Sequence, residues 1–556
     1  MLTLNPGFPL LACALLLLAA PRALRPWLFV GAALAALWLL LDHEFGAAAA
    51  MAQMGLPVVL LDLDELNRVF GIAMLLAAIV LGVFIAGRPN RHEDAAIALA
   101  AGGAISALFM GDLISFAATA ALSSLGAAWV VFASPRAGAG DAGVRVLIWS
   151  GLEGLLLLVG VALRLSSGAE NSMLSRLGAD TAAGGFILAA LLVRAGAPLA
   201  HVWIKDAIVH ASAPGAAALA AFPSVVGVYA IARFFPAEPT LLPIGAAMMA
   251  IGLLYAGASG DLRRASAYAF VAQCGIALAL LGLGTPLGLA AAEAHIFAQI
   301  CSLVALQLAL GCVEQRAGAD LQGLAARMPL SATLLLAAGL AVAAAPGASS
   351  YAALTLALEA AATFDWRWLW AFFALSSAAL SVVFFIRPAA SIFSTAGGRG
   401  LHEAPYAMLL AATLAVFFCF AVGVAPGWLW GLLPGELAFQ PFALDRLARQ
   451  MQVLGGAGLV AIALGVATVR LRAGALPDVD TFYRGPLAAA GRWCITVMFR
   501  VQGAADEAGK RAVVALGRSA FRALQNADRP YAGHLALGLW LGVGAAACIA
   551  LWFTAR

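Results

Sequence analysis

Apolar runs of about 20 residues, the length an α-helix needs to cross the hydrocarbon core of a bilayer, recur along the whole chain with short polar breaks between them. Sixteen candidate spans fall near residues 8–21, 26–42, 66–86, 94–110, 112–133, 144–164, 182–200, 212–234, 241–258, 265–284, 287–312, 330–362, 368–389, 406–431, 452–470 and 533–553. The pattern predicts an all-α polytopic membrane helix bundle with no extramembrane stretch long enough for a separate enzyme domain. The first candidate, Leu10 to Ala20, has no basic stretch ahead of it and is followed almost at once by a second apolar run, so it reads as a retained span and not a cleaved signal.

Two of these runs are interrupted. RAGAPLAH, Arg194 to His201, breaks the seventh around Pro198, and AAAPGASSY, Ala343 to Tyr351, breaks the twelfth around Pro346. The breaks lie five spans apart, an odd number, so two five-helix units starting at spans four and nine would run in opposite senses, the arrangement of an inverted repeat with broken helices in equivalent places. The organisation expected is N-terminal spans over 1–93, a first repeat over 94–234, a second, inverted repeat over 235–389, C-terminal spans over 390–475, an amphipathic segment over 476–530 and a last span over 531–556. In that amphipathic segment Arg511, Arg518 and Arg522 recur on one helical face, which fits a helix on the cytoplasmic membrane surface facing anionic headgroups or a partner subunit; a solvated connector is the plainer alternative.

Loops after odd-numbered spans, up to the thirteenth, hold thirteen Lys and Arg, against seven in the even-numbered loops. By the positive-inside rule the odd loops are cytoplasmic and both termini lie outside, as expected in the cytoplasmic membrane of a prokaryote. The composition, 63% hydrophobic and 11% charged, is far from the roughly 25% charged residues of soluble domains and gives no basic surface for nucleic acid. The seven cysteines are isolated within apolar runs, with no CxxC or Cys/His ligand spacing; no metal site or other cofactor is expected.

The candidate chemistry lies in polar residues within spans. Arg194 falls at apparent mid-membrane depth, where a charge must face protein or a wet cavity and is a functional candidate; as a structural charge near a helix end, snorkelling to the interface, it would do no chemistry. His201, Glu153, Glu293, His295, Gln299 and Glu359 are further transport-path candidates. His295 and Gln299 lie four apart on one helix face, and histidine titrates near neutrality. Single polar side chains in a bundle also serve as interhelical glue.

The stretch HVWIKDAIVHASAPGAAALAAFPSVVGVYAIARFF, His201 to Phe235, resembles the antiporter-like proton-translocating subunits shared by respiratory complex I, membrane-bound hydrogenases and Mrp-type sodium/proton antiporters, which carry an H-x-W-L-P-D-A segment and a V-Y-A-L-x-R ending. GDLISF at Gly111 to Phe116, GDLRRASAYAFVAQCGIALALLGLG at Gly260 to Gly284 and AEAHIFAQ at Ala292 to Gln299 add to the resemblance, which covers roughly residues 60 to 425. The late amphipathic stretch is similar to that of the longer Mrp D-type subunits.

The resemblance implies a core of about fourteen helices with an inverted repeat, and a midplane row of Lys, His and Glu that passes protons. This chain departs from that row. The family's glutamate in the fifth helix falls on Ala121, and its lysine in the broken seventh on Arg194. The eighth-helix lysine falls on Val225. In the eleventh helix His295 matches a histidine, Gln299 replaces a second and Leu303 takes a lysine position; a charged residue after the twelfth-helix break falls near Leu354. Alanine, valine and leucine cannot carry a proton, and arginine, with a pKa above about 12, is a fixed charge. The leading expectation is a membrane subunit of a complex I-like or Mrp-type cation/proton-translocating complex, with a degenerate central path and a structural or coupling role beside homologous membrane subunits. A stand-alone secondary transporter for an ion or small solute is the alternative. A quinone-binding redox subunit is the third; any NADH/quinone oxidoreductase activity would belong to the whole complex.

Overall fold

The computed structural model describes residues 4–53, 56–88, 90–173, 176–364, 366–395, 401–435, 437, 439–465, 479–482, 486 and 488–525. In chain order the elements are α1 (Phe8–Ala19), α2 (Arg25–Asp42), β1 (Gly46–Gln53), β2 (Leu56–Leu63), α3 (Glu65–Phe84), α4 (Arg91–Phe109), α5 (Leu113–Phe132), α6 (Ala139–Ser166), α7 (Ala182–Ala195), α8 (Val202–His210), α9 (Ala213–Ala221), α10 (Pro223–Phe234), α11 (Leu241–Ala258), α12 (Leu262–Leu281) and α13 (Pro286–Ala317). There follow α14 (Leu324–Arg327), α15 (Pro329–Val342), α16 (Ser349–Ala362), α17 (Arg367–Ser381), a π-turn (Val382–Ile386), α18 (Arg387–Ile392), α19 (Tyr406–Val424), α20 (Pro426–Trp430) and α21 (Leu444–Ala463). These form one compact unit, and α22 (Val479–Phe482) and α23 (Ala488–Gln525) belong to a second.

The chain is a polytopic helical membrane bundle. Ten helices of the described residues are long and apolar enough to cross a membrane. Each of the first fifteen candidate spans coincides with helix over most of its described residues; 466–470 of the fifteenth and the whole of the sixteenth, 533–553, lie outside the described residues. Three details differ from expectation. The eighth span is broken as well, at Phe222 ahead of Pro223, because proline cannot supply the N–H that would continue the ladder. The fifteenth begins earlier, at Leu444, since Asp445, Arg446 and Arg449 are helical although they interrupt the apolar run. An antiparallel hairpin, β1–β2 with Gly46 opposite Leu63, fills a segment with no assigned element.

The 32-residue α13 runs through the middle of the first unit, packed by α3, α9, α12, α15, α16 and α19. With lipid as the solvent, close packing replaces the hydrophobic drive between helices, so small residues sit at the contacts. A Cβ on Gly245 of α11 would lie 2.5 Å from the backbone nitrogen of Ala279 in α12. By contrast α6 turns Ile148, Leu155 and Leu158 outward, the apolar face a bilayer needs.

The polar loops sort into two ends. At one, Arg25 meets Asp94 at 3.5 Å, Asn90 donates to the Ala133 carbonyl at 3.0 Å, Arg136 and Arg263 meet Glu314, and Arg387 donates to the Gly257 carbonyl at 3.1 Å. All of these belong to odd loops or the helix ends beside them. At the other end, Asn5 donates to the Leu60 carbonyl at 2.8 Å, Asn171 to Asp112 at 3.2 Å, and Arg233 pairs with Asp64 at 2.5 Å. These are even-loop residues, joined by the segment ahead of α1. The GDLISF motif is part of this end: Asp112 caps α5 through the Ser115 N–H at 2.9 Å and accepts from the hairpin at the Val59 N–H, also at 2.9 Å. In the second unit, α23 is a single 38-residue helix with Arg511, Arg518 and Arg522 exposed, which agrees with the helical periodicity of that stretch.

Candidate functional site

Arg194 stands on the last turn of α7, just before the break, and is 3% exposed. Its guanidinium fork is filled. Nε donates to Glu153 Oε1 at 3.1 Å, and Nη2 donates to Glu153 Oε2 at 3.0 Å, Ser124 Oγ at 2.8 Å and the Ala120 carbonyl at 2.9 Å. Nη1 donates to the carbonyl of Pro223, the first residue of α10, at 3.3 Å. Glu153, also 3% exposed, comes from α6 and accepts in addition from Ser124 at 3.4 Å. A planar five-donor cation meeting a carboxylate in bidentate fashion is the geometry in which a buried ion pair recovers most of its desolvation cost. Beside the pair is a small cavity lined by Ser124, Trp149, Ser150 and Trp203.

The break after Arg194 is built from strained backbone. Gly196 and Leu199 have φ of 80° and 76°, left-handed values that leucine rarely adopts. The last turn of α7 is closed by the Trp203 indole, which donates to the Val193 carbonyl at 2.8 Å; this is the task of the tryptophan in HVW. The twelfth-helix break uses the same devices. Ala344 and Gly347 have φ of 56° and 92°, Ser377 donates to the Ala343 carbonyl at 2.7 Å, and Gln450 of α21 donates to the Ala344 carbonyl at 2.9 Å. Pro198 and Pro346 lie within these two breaks.

The other candidates do not join Arg194. His201 is buried with its ring 6.3 Å from that of Tyr268. His295 and Gln299 share a face of α13, and Gln299 donates to Cys274 Sγ at 3.3 Å. Glu293 lies on the same helix, 1% exposed. Among the described residues, both its carboxylate oxygens, both His295 ring nitrogens, Gln273 Nε2 and Gln299 Oε1 are buried without a hydrogen-bonding partner. Glu359 is at the even-loop end, half exposed and paired with Arg446 at 3.1 Å, so it is a surface ion pair and not part of an interior line. Val225, Leu303 and Leu354 are buried. Ala121 faces outward on α5; its neighbour Ala120 and Ser124, one helical turn on, face Arg194.

A second polar group lies toward the odd-loop end. Arg263, 1% exposed, donates to Glu314 at 3.0 and 2.6 Å and to Gln307 at 3.4 Å, while Arg136 reaches the same carboxylate at 2.5 Å. Ser212, whose carbonyl also accepts from Arg263, donates its hydroxyl to Glu93. Lys205, in the HVWIKDA motif, lies 3.7 Å from Asp206, which Arg145 meets at 2.5 Å. The sequence reading missed Arg263, Gln307 and Glu314. The signal was there: Gln307 and Glu314 are seven apart on one helix, which the apolar run alone ends at 312, two residues short of the glutamate. No group of three or more His, Cys, Asp or Glu suited to a metal ion occurs among the described residues.

Buried charges at helix breaks within an apolar bundle define the class: an integral membrane protein of the antiporter-like fold. Residues 97–381, just over half of the chain, match the family described as "NADH:quinone oxidoreductase/Mrp antiporter, TM", and the chain belongs to that family. No curated protein matches it. Among solved structures it resembles a chain of the Mrp complex from Dietzia sp. DQ12-45-1b at 18% identity and a TM-score of 0.76, covering 98% of this chain and 62% of that one. This chain thus spans less than two thirds of that Mrp chain. It resembles a chain of respiratory complex I from Thermus thermophilus with bound NADH at 24% identity, with coverage of 82% and 100% and a TM-score of 0.69. A chain of the membrane-bound sulfane sulfur reductase, an archaeal respiratory membrane complex, matches at 20% identity, with coverage of 81% and 98% and a TM-score of 0.68.

Proposed function

We propose that the chain is a membrane subunit of a multi-subunit complex that translocates cations or protons, seated beside homologous membrane subunits in a prokaryotic cytoplasmic membrane. Its odd loops face the cytoplasm and its termini the outside. Within that assembly it has a structural or coupling role, because its own central path is degenerate. One observation carries this reading: the guanidinium at the family's seventh-helix lysine position is a permanent charge, held by Glu153, Ser124 and two backbone carbonyls. A lysine there would exchange its proton as neighbouring charges move, whereas a guanidinium is not a proton relay in a protein. Val225, Leu303 and Leu354, apolar and all buried, cannot carry a proton where the family has charged side chains, which leaves His295 without a titratable neighbour at those positions.

The test is reconstitution. The purified chain in liposomes should move neither protons nor sodium above the leak of empty vesicles, and it should copurify with homologous membrane subunits from its native membrane. Robust flux by the chain alone, abolished by Arg194→Ala or His295→Ala, would overturn the degenerate path and favour a self-sufficient transporter.

A further inference from the structure

Among the described residues, Glu293 is the buried carboxyl for which neither oxygen has a hydrogen-bonding partner. Glu293 lies on the second turn of α13, roughly 10 Å in from the helix start by the 1.5 Å rise per residue, at the even-loop end. It is 1% exposed, and neither carboxylate oxygen has a hydrogen-bonding partner among the described residues. The charged groups near enough to act on it are Asp64 at the start of α3, Glu65 beside it and Arg233 on α10. Arg233 is already committed to Asp64 at 2.5 Å. The nearby charge therefore sums to a net negative value, with the one cation neutralised by its own partner and Glu65 left over. A bare carboxylate in such a place would suffer both desolvation and like-charge repulsion, and buried charges without partners are avoided by taking up a counter-charge. A metal cation fits poorly, because no group of three or more His, Cys, Asp or Glu suited to one occurs among the described residues. A proton needs only that carboxylate.

We propose that Glu293 is a proton-binding site, occupied as the neutral acid and exchanging its proton with water at the even-loop end past Asp64, Arg233 and the exposed Glu65. The acid has one donor and needs one acceptor, which water entering from the even-loop end would supply. His295 and Gln273, buried polar groups of α13 and α12, lie deeper on the same pair of helices. The site is distinct from the Arg194–Glu153 pair, in which both carboxylate oxygens accept from the guanidinium. It stands whether or not the chain conducts protons by itself.

Dicyclohexylcarbodiimide distinguishes the two carboxyls, because it crosses membranes and adds to a protonated buried carboxyl to leave a stable N-acylurea. Native membranes containing the whole assembly are treated with it, and the peptides are mapped by mass. The expected result is an adduct on Glu293 and none on Glu153, with labelling that slows about tenfold per pH unit once the medium is more alkaline than the site's own titration. Glu293→Gln should abolish the adduct while the assembly still copurifies, and Glu293→Asp should retain it. Three results would each overturn the proposal: an unmodified Glu293 in membranes where the reagent labels other carboxyls, an adduct that forms only after detergent has loosened the bundle, or protection by sodium at constant pH, which would mark a metal-cation site. The readout is a mass and not a flux, so its failure would leave the reading of Arg194 standing, and flux by the isolated chain would leave the Glu293 adduct unexplained away.

Discussion

At Arg194 the side chain and its partner have to be considered as one object, because neither is tolerable alone. Removing one partner of a buried ion pair leaves an uncompensated charge and costs about 3–5 kcal/mol, whereas replacing both by apolar groups of similar volume is near neutral or better. Arg194→Met and Glu153→Leu should therefore each lower the unfolding temperature of the purified chain sharply, and the double variant should recover most of the loss. Additive losses in the double-mutant cycle would mean that the 3.0 and 3.1 Å contacts carry no coupling. Sequence reading found both residues of this pair but could not join them. Arg194 is conspicuous because a charge in an apolar run needs a partner, but the partner's address depends on how α6 leans on α7, and 41 residues of chain separate the two. Register explains the other gap. Counting from GDLISF lands on Ala121, which faces outward, while the positions that touch the guanidinium are Ala120, through its carbonyl, and Ser124. A helix turns 100° per residue, so an offset of one residue moves a position from the interior to the lipid.

The seventh and twelfth breaks were legible because proline stands there among clustered small residues in an apolar run, whereas Pro223 of the eighth, between Phe222 and Ser224, was not distinguished from a tolerated proline. What closes each break was not legible. Trp203 follows its break in sequence, but Ser377 and Gln450 reach theirs from α17 and α21, and no local pattern encodes such a return. The hairpin β1–β2 was missed for a similar reason: GAAAAMAQ has little intrinsic strand preference, and its ladder depends on the second strand and on contacts such as Val59 with Asp112. The breaks invite a paired test. Leu199 holds a left-handed backbone at φ 76° that costs a side-chain-bearing residue about 1–2 kcal/mol, so Leu199→Gly should be neutral or stabilising. Trp203→Phe keeps the ring and deletes the N–H, leaving the Val193 carbonyl with the Gly196 N–H at 3.2 Å as its remaining donor, and should cost about 1 kcal/mol, the net worth of one hydrogen bond. Thermal unfolding of the two variants in detergent checks both signs. A loss in the glycine variant as large as that in the phenylalanine variant would mean that the Leu199 side chain, and not the backbone it strains, holds the break.

For the molecule as a whole, the sorting of loops into two polar ends converts a count of basic residues into a geometric statement. Arg25, Arg136, Arg263 and Arg387 are all tied to the same end by contacts with one another's loops, so they face the same side of the membrane whichever side that is. The excess of Lys and Arg in odd loops is the ground for proposing that this side faces the cytoplasm. Two exposed positions report on it: Ala319, just beyond α13 at the odd-loop end, and Glu170, beyond α6 at the even-loop end. In a background with the native cysteines replaced, Glu170→Cys in intact cells should react with a membrane-impermeant maleimide, and Ala319→Cys should react only after the membrane is opened. The converse pattern would invert the orientation without disturbing the fold, and would place the Asp64–Arg233 end, and with it the access to Glu293, on the cytoplasmic side. Reaction of both in intact cells would contradict the two-ended sorting itself, since the positions flank helices that cross the bundle in full: α6 has 28 residues and α13 has 32, each long enough at 1.5 Å per residue to span the roughly 30 Å hydrocarbon core.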